Sequence, residues 1–209
     1  MRRKWWISIG GIAVIAALAG TIFLRGFDWP GSPWAAGMPI EALNGVAVYD
    51  NGPIASVSHG RNAAPDGYYF GQKWQCVEFV KRYLYQARGH KMPDGMGDAA
   101  SFFDPATPPG ALNERRGLVQ FRQGGPDAPI AGDLIVFDGA AGFGHVAIVA
   151  AAGEDFIEIV QQNAAPPRER MALKHSGNGY LVEGRLPALG WLRVPTMQAE
   201  HVRGAAPAG

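Results

Sequence analysis

Cysteine, charge and metal-binding patterns are all scarce in this chain of 209 residues, and each scarcity removes a class of function. One cysteine excludes an internal disulfide framework and a multi-cysteine metal site. A formal net charge of +1 leaves no strongly basic face of the kind that binds nucleic acid. Neither HExxH nor CxxC occurs, so no catalytic metal is expected, and nothing calls for another cofactor. No internal repeat is visible. The thiol, Cys76, is therefore either a small buried hydrophobe or a reactive group, and its position has to decide between them.

The long apolar run that stands out is "WWISIGGIAVIAALAGTIFL", residues 5–24, behind the basic start "MRRK". It has about the ~20 residues that a helix needs to cross a bilayer. The basic residues should stay on the cytoplasmic side, which sends the rest of the chain across. Two readings compete: a signal peptide cleaved after the small residues 17–19, or an uncleaved signal anchor. The run continues through Thr21, Ile22, Phe23 and Leu24, longer than a typical signal core, which favours the anchor. The expectation is a single-pass inner-membrane protein with its globular part on the periplasmic side. Residues 25–44, rich in Gly, Pro and Trp, read as a linker, and residues 196–209 as a frayed tail.

Between them, residues 45–195 read as one domain. "GVAVYDNG" reads as a short strand closed by a turn, and residues 55–69 as loop. A helix is expected over about residues 74–88, where Phe79, Val80, Tyr83 and Leu84 share one face and Cys76 borders it. Lys81, Arg82 and Gln86 lie off that face and read as helix surface. Gly89 suits the C-cap. Residues 90–118 read as loop, with a short helix near residues 99–103. "DLIVFD", "GHVAIVAAA" and "DFIEIVQQN" then read as consecutive antiparallel strands joined by short Gly-bearing turns, with "GYLVEG" and "ALGWLRV" as further strands. A helix followed by an antiparallel sheet is an α+β domain.

Chemistry is suggested by where the polar residues fall in this order. Cys76 sits at a helix start, where unpaired N–H groups and the helix dipole lower a thiol pKa. His145 begins a strand behind "GAAGFG". If the following hairpin closes at Gly153, the end of "EIVQQN" lies beside His145, and Gln161 and Asn163, two apart, share a face. An amide carbonyl there could accept from Nδ1–H of His145 and leave Nε2 facing the thiol. Each residue alone also has an ordinary structural reading: Cys76 as a core thiol, His145 as a strand-edge histidine, the amides as strand-end polar groups. His59, His90, His175 and His201 read as solvated, and Glu78 as a structural carboxylate in the first helical turn. An oxyanion would meet the Cys76 backbone N–H and a side-chain donor, Gln75 or Gln72, with Gln75 preferred.

With these residues in view, the chain resembles the CHAP family, the cysteine, histidine-dependent amidohydrolases/peptidases. "GQKWQCVEFVKRYL", including Trp74, is similar to the family's nucleophile helix, "APIAGDLIVFD" to its first core strand, "GHVAIV" to its histidine strand and "EIVQQN" to the strand carrying the third catalytic residue. "GVAVY" and "GWLR" extend a likeness to amidase domains of the glutathionylspermidine type over about residues 45–194. The resemblance implies a papain-like fold, Cys76 as nucleophile and His145 as base. Gln161 stands where the family usually has a glutamate, and Asn163 matches a nearby asparagine. A carboxylate would stabilise an imidazolium; a neutral amide only orients the ring. The implied reaction is amide hydrolysis through an acyl enzyme. Peptidoglycan is the substrate favoured by the expected location. A γ-glutamyl peptide–polyamine amide is favoured by overall similarity, and a wall-binding module without turnover is left open by Gln161.

Overall fold

The computed structural model describes residues 35–139 and 142–195. The apolar run expected to cross the membrane, half of the expected linker and the tail lie outside these residues. Among the described residues no helix is long and apolar enough to cross a membrane.

The described residues form one α-helix, twelve strands and one 3-10 turn. Strands β5 (Ala111–Asn113), β6 (Leu118–Arg122), β7 (Leu134–Phe137), β8 (His145–Ala152), β9 (Phe156–Val160), β10 (Arg168–Ser176), β11 (Gly179–Glu183) and β12 (Ala188–Arg193) make one antiparallel sheet in the order β11-β10-β9-β8-β7-β12-β6-β5. The expected β7–β8–β9 meander is its centre. Two small ladders stand apart: β1 (Pro39–Leu43) with β2 (Val46–Tyr49), and β3 (Arg61–Ala63) with β4 (Tyr69–Gln72). Strand β1 lies inside the stretch read as linker, β3 inside the stretch read as loop, and β4 starts at the last residue of that loop. Neither shows the apolar alternation that marks a half-buried strand.

Helix α1 (Cys76–Arg88) packs on the sheet. Gly89 closes it in the left-handed conformation, φ 63°, with its own N–H and that of His90 bonded to the carbonyls of Tyr85 and Leu84. The predicted face is buried: Phe79, Val80, Tyr83 and Leu84 meet Leu134, Val136, Val146, Ile148, Val160 and Leu192. The intervening residues Ile135, Phe137, Ala147, Val149, Ile157 and Ile159 pack with Trp191 on the opposite face. The central strands are thus covered on both sides, and alternation sends each residue to one side or the other. Each fully buried side chain of this size contributes about 1.5–3 kcal/mol.

Lys81 and Arg82 are not on a solvated surface. Both are buried, with 2% and 5% of their area exposed, because the helix is enclosed by the β1–β2 and β3–β4 ladders as well as by the sheet. Lys81 Nζ donates to the carbonyls of Tyr69 and Gly95 and lies over the rings of Tyr68 and Tyr69. Burial lowers its pKa to about 8, and the nearby Arg116 acts in the same direction. Gly71 permits the close approach of β4: at φ 147° any Cβ there would sit 3.1 Å from the Glu78 backbone.

Candidate functional site

The N-terminus of α1 meets the start of β8. The backbone N–H of Val146, next to His145, reaches the Cys76 sulfur, as do the N–H groups of Val77 and Cys76 itself. Gly144 delivers the chain to His145 at φ 66°. A Cβ there would fall 2.6 Å from the Phe137 carbonyl and 2.8 Å from Ala100, so glycine fits both the turn and the packing. The 3-10 turn (Ala99–Phe102) is tied to this corner by a 3.0 Å bond from Ala100 N–H to the Phe143 carbonyl. Its N-cap, Asp98, is close enough to act on Cys76.

His145 leads β8 with its ring stacked on Phe137, centroids 6.2 Å apart. Its Nε2 lies 2.9 Å from Gln161 Oε1. An amide oxygen only accepts, so Nε2 carries the hydrogen and Nδ1 is left with the lone pair. The ring is therefore used the opposite way round from the sequence expectation, which had Nδ1 bonded to the amide and Nε2 free. Gln161 shares the strand face of Ile159 and is buried.

Asn163 does not join it. β9 ends at Val160, and at Asn163 the backbone is left-handed, φ 58°, so strand alternation no longer governs where its side chain goes. Asn163 Nδ2 instead donates to the Ala55 carbonyl and to Gln75 Oε1, at 2.9 and 2.7 Å. Gln75 is the helix N-cap residue, and its Nε2 donates to the carbonyls of Ala55 and Val57, both at 3.0 Å. Its two amide hydrogens are committed to that loop, so the preferred oxyanion donor of the sequence reading is engaged elsewhere. Gln72 is exposed at the end of β4 and accepts from the Ser58 hydroxyl at 2.7 Å. Trp74 packs on Tyr49, ring centroids 4.2 Å apart, with its backbone N–H donating to Asn51 Oδ1. The structure thus brings the Cys76 sulfur to the backbone of Val146, next to His145, joins His145 to Gln161, and pairs Gln75 with Asn163 beside them. Gln72 and Trp74 belong to the surrounding framework.

Electrostatically the central group favours neutral forms. Burial pushes the Cys76 thiol above its ordinary value, Asp98 adds to this, and the three backbone N–H groups oppose it. The helix start alone, which the sequence reading relied on, does not win against desolvation. Burial lowers His145 to about 4, opposed by the Gln161 bond and by Glu169 and reinforced by Arg185. A thiol held above its usual range and an imidazole held below it rest as SH and neutral ring. Such a pair works by general-base transfer as the nucleophile attacks, not from a preformed ion pair.

Comparison with known proteins agrees with this corner of the molecule. Residues 67–163 match the CHAP domain family, a span that begins before α1 and ends at Asn163. The chain contains a CHAP domain. The bifunctional glutathionylspermidine synthetase/amidases of Escherichia coli K12 and Shigella flexneri are each 36% identical over 132 residues, 58% of this chain and 21% of theirs. The trypanothione synthetase of Crithidia fasciculata is 26% identical over 163 residues, 71% of this chain and 25% of that protein. The chain thus spans between about a fifth and a quarter of the length of these relatives. The matched residues are similar to a domain of cysteine amidases/hydrolases.

Sequence reasoning missed several residues that build the CHAP site. Gln162, next to Gln161 but on the helix side of the sheet, donates to the Gln75 carbonyl at 3.0 Å and to Glu78 Oε2 at 2.7 Å, and accepts from Tyr49 N–H at 2.8 Å. Gln162 lies past the end of β9, where alternation no longer assigns faces, so the sequence carried no signal for it. Arg116, fully buried against the Phe102 ring, donates to the carbonyls of Asp94, Met96 and Ser101 and so braces the segment leading to Asp98. His59 and His175, read as solvated, are exposed, His59 with a 2.9 Å bond to the Asn51 carbonyl and His175 against Tyr180; His90, read the same way, is half-buried and bonds the Arg116 carbonyl at 2.8 Å. His201 lies outside the described residues.

Proposed function

We propose that the chain is an exported, membrane-anchored cysteine amidase that cleaves a peptide amide of peptidoglycan through an acyl enzyme. The observation that carries the chemistry is the bond from His145 Nε2–H to Gln161 Oε1, which leaves Nδ1 as the base at the Val146 corner where Cys76 lies. Cys76 Sγ attacks the amide carbonyl while its proton passes to Nδ1. The S–C bond forms, and the carbonyl oxygen gains negative charge facing the Cys76 backbone N–H at the helix start. The C–N bond then breaks, and the proton on Nδ1 goes to the leaving amine. Water, deprotonated by Nδ1, attacks the thioester; the acid leaves and the thiol is restored. Gln75 and Asn163 act by holding the loop at residues 55–57 against the helix start, and Gln72 and Trp74 by supporting that framework.

Location supports the choice of peptidoglycan. The basic start and the apolar run of residues 5–24 read as a signal anchor that would put the domain beside the cell wall. The rival substrate, an amide of the glutathionylspermidine type, is supported by the 36% identity to the synthetase/amidases. The full chain in detergent should release peptides from purified sacculi, lose this with Cys76→Ala, and leave glutathionylspermidine intact. Hydrolysis of glutathionylspermidine alone would transfer the assignment to the rival. Proteolysis of spheroplasts tests location: a domain protected from added protease would overturn the exported reading.

A further inference from the structure

The carboxylate that Gln161 lacks is present one residue further out. Gln161 Nε2 donates to Glu169 Oε2 at 3.2 Å and to the Pro166 carbonyl at 2.9 Å. Glu169 sits on β10 opposite Ile159 of β9, about one-quarter exposed, and pairs with Arg185 at 3.1 Å. Arg185 also donates to the Ala165 carbonyl at 2.9 Å. The result is a chain of polar contacts running from His145 through Gln161 to Glu169 and on to Arg185.

This chain determines which way the Gln161 amide points. In the reversed orientation the amide oxygen would face a carboxylate and a carbonyl, three acceptors with no hydrogen among them, while its NH2 would face His145. Glu169 and Pro166 together exclude that orientation. The geometry points to Glu169 as a positioning residue of the amidase site: it holds Gln161 so that Oε1 faces His145, and its charge, relayed through the polarised amide, favours the imidazolium formed as the thiol proton arrives. The inference rests on the reading of Cys76 and His145 as nucleophile and base. It differs from a structural account of Glu169 in one respect. The carboxylate and the amide should be exchangeable as a pair, but two carboxylates should not be tolerated at these two positions.

The test uses the full chain in detergent with Gln161→Glu, Glu169→Gln, Glu169→Ala and the double variant Gln161→Glu/Glu169→Gln. Two readouts are taken across pH: Cys76 alkylation by iodoacetamide followed by mass spectrometry, and peptide release from sacculi. The charged groups acting here are Glu169 and Arg185 on His145 and Asp98 on Cys76, and all but Glu169 are unchanged in the set. Glu169→Ala should slow alkylation near neutral pH roughly tenfold, the size of one hydrogen bond to a charged group. Gln161→Glu alone, with two carboxylates in contact, should be impaired and should recover only at acidic pH, where the two share a proton. The double variant should regain at least the wild-type rate at neutral pH, with its acid limb shifted to higher pH, because the carboxylate against the ring favours the imidazolium. The inference is overturned if Glu169→Ala matches wild type, or if Gln161→Glu alone performs as well as the double variant. Loss of thermal stability in all Glu169 variants with unchanged pH profiles would also overturn it, since that is a structural role only. If wild-type alkylation does not depend on His145 at all, the underlying reading of the site fails instead, and His145→Ala separates that case.

Discussion

Two polar clusters lie on either side of the same strand end, and neighbouring glutamines reach one each. On the helix side, Gln162 meets Glu78 and Arg82. On the other, Gln161 meets His145. The first cluster holds an ion pair, Glu78 with Arg82 at 2.6 Å, in full burial. Both Glu78 oxygens are bonded: Oε1 by Asn62 and Arg82, Oε2 by Arg82 and Gln162. Arg82 adds bonds to the Ala47 carbonyl and Gln162 and lies over Tyr49. The second cluster sets a neutral amide against the imidazole, and burial lowers the ring to about 4. The ring is partly exposed, so the clusters differ in burial as well as in partners. Charge persists in the interior where each lone pair and proton is matched, and gives way to neutral forms where the match is incomplete. The first cluster fixes the helix start, and the second stays one proton transfer from being charged.

The hardest break falls on the neutral side. Cys76→Ala and His145→Ala should each lower amide hydrolysis by at least about a thousandfold, the loss typical when one member of a nucleophile–base unit is removed. Thermal unfolding should change little by comparison. Residual turnover in Cys76→Ala within tenfold of wild type would remove the thiol from the reaction.

On the charged side the same operation should damage the fold. Arg82→Met leaves Glu78 buried without its cation and should cost about 3–5 kcal/mol of stability. Glu78→Gln retains the shape but leaves the Arg82 cation buried without its anion, and should cost a similar amount. Denaturant titration of the full chain in detergent by tryptophan fluorescence checks both, and a loss below about 1 kcal/mol in either would mean that packing rather than charge dominates the cluster.

This contrast was only half legible in the sequence. The meander could be read because "DLIVFD", "GHVAIVAAA" and "DFIEIV" are apolar or β-branched runs bounded by turn residues, a local signal. The helix and its Gly89 cap were readable for the same reason. Burial of Lys81 and Arg82 was not, since their partners are carbonyls of Tyr69, Gly95 and Ala47, supplied by segments remote along the chain. Strands β1, β3 and β4 escaped notice because three to five residues without alternation carry no period. The pairing of His145 with Gln161 followed from hairpin register, but the ring nitrogen used and the departure of Asn163 depend on where β9 ends and the backbone turns. Alternation cannot report on residues past the end of a strand.

Gln162 connects the two sides, so its removal should be felt by both. Gln162→Ala strips donors from Glu78 Oε2 and the Gln75 carbonyl and an acceptor from Tyr49 N–H. Stability should fall by about 1–3 kcal/mol, the cost of buried groups left unpaired. Alkylation of Cys76 should also change, because Gln75 precedes it at the helix start. A variant that loses stability with alkylation unaltered would show that the clusters are independent.

The smallest effect concerns pH and stability. His145 is neutral in the folded protein down to about pH 4, whereas its ordinary value is 6.5. Between those limits the unfolded chain binds the extra proton and the folded one does not, so this residue makes stability fall as pH drops from 6.5 towards 4. Above 6.5 both states are neutral and the contribution vanishes. For a ring that is partly open to water the loss should be on the order of 1–2 kcal/mol. His145→Ala should flatten this part of the stability profile while leaving carboxylate-driven acid unfolding in place at lower pH. The same slope in wild type and His145→Ala would mean that the ring accepts its proton in the folded state, and that the site is less dry than its burial implies.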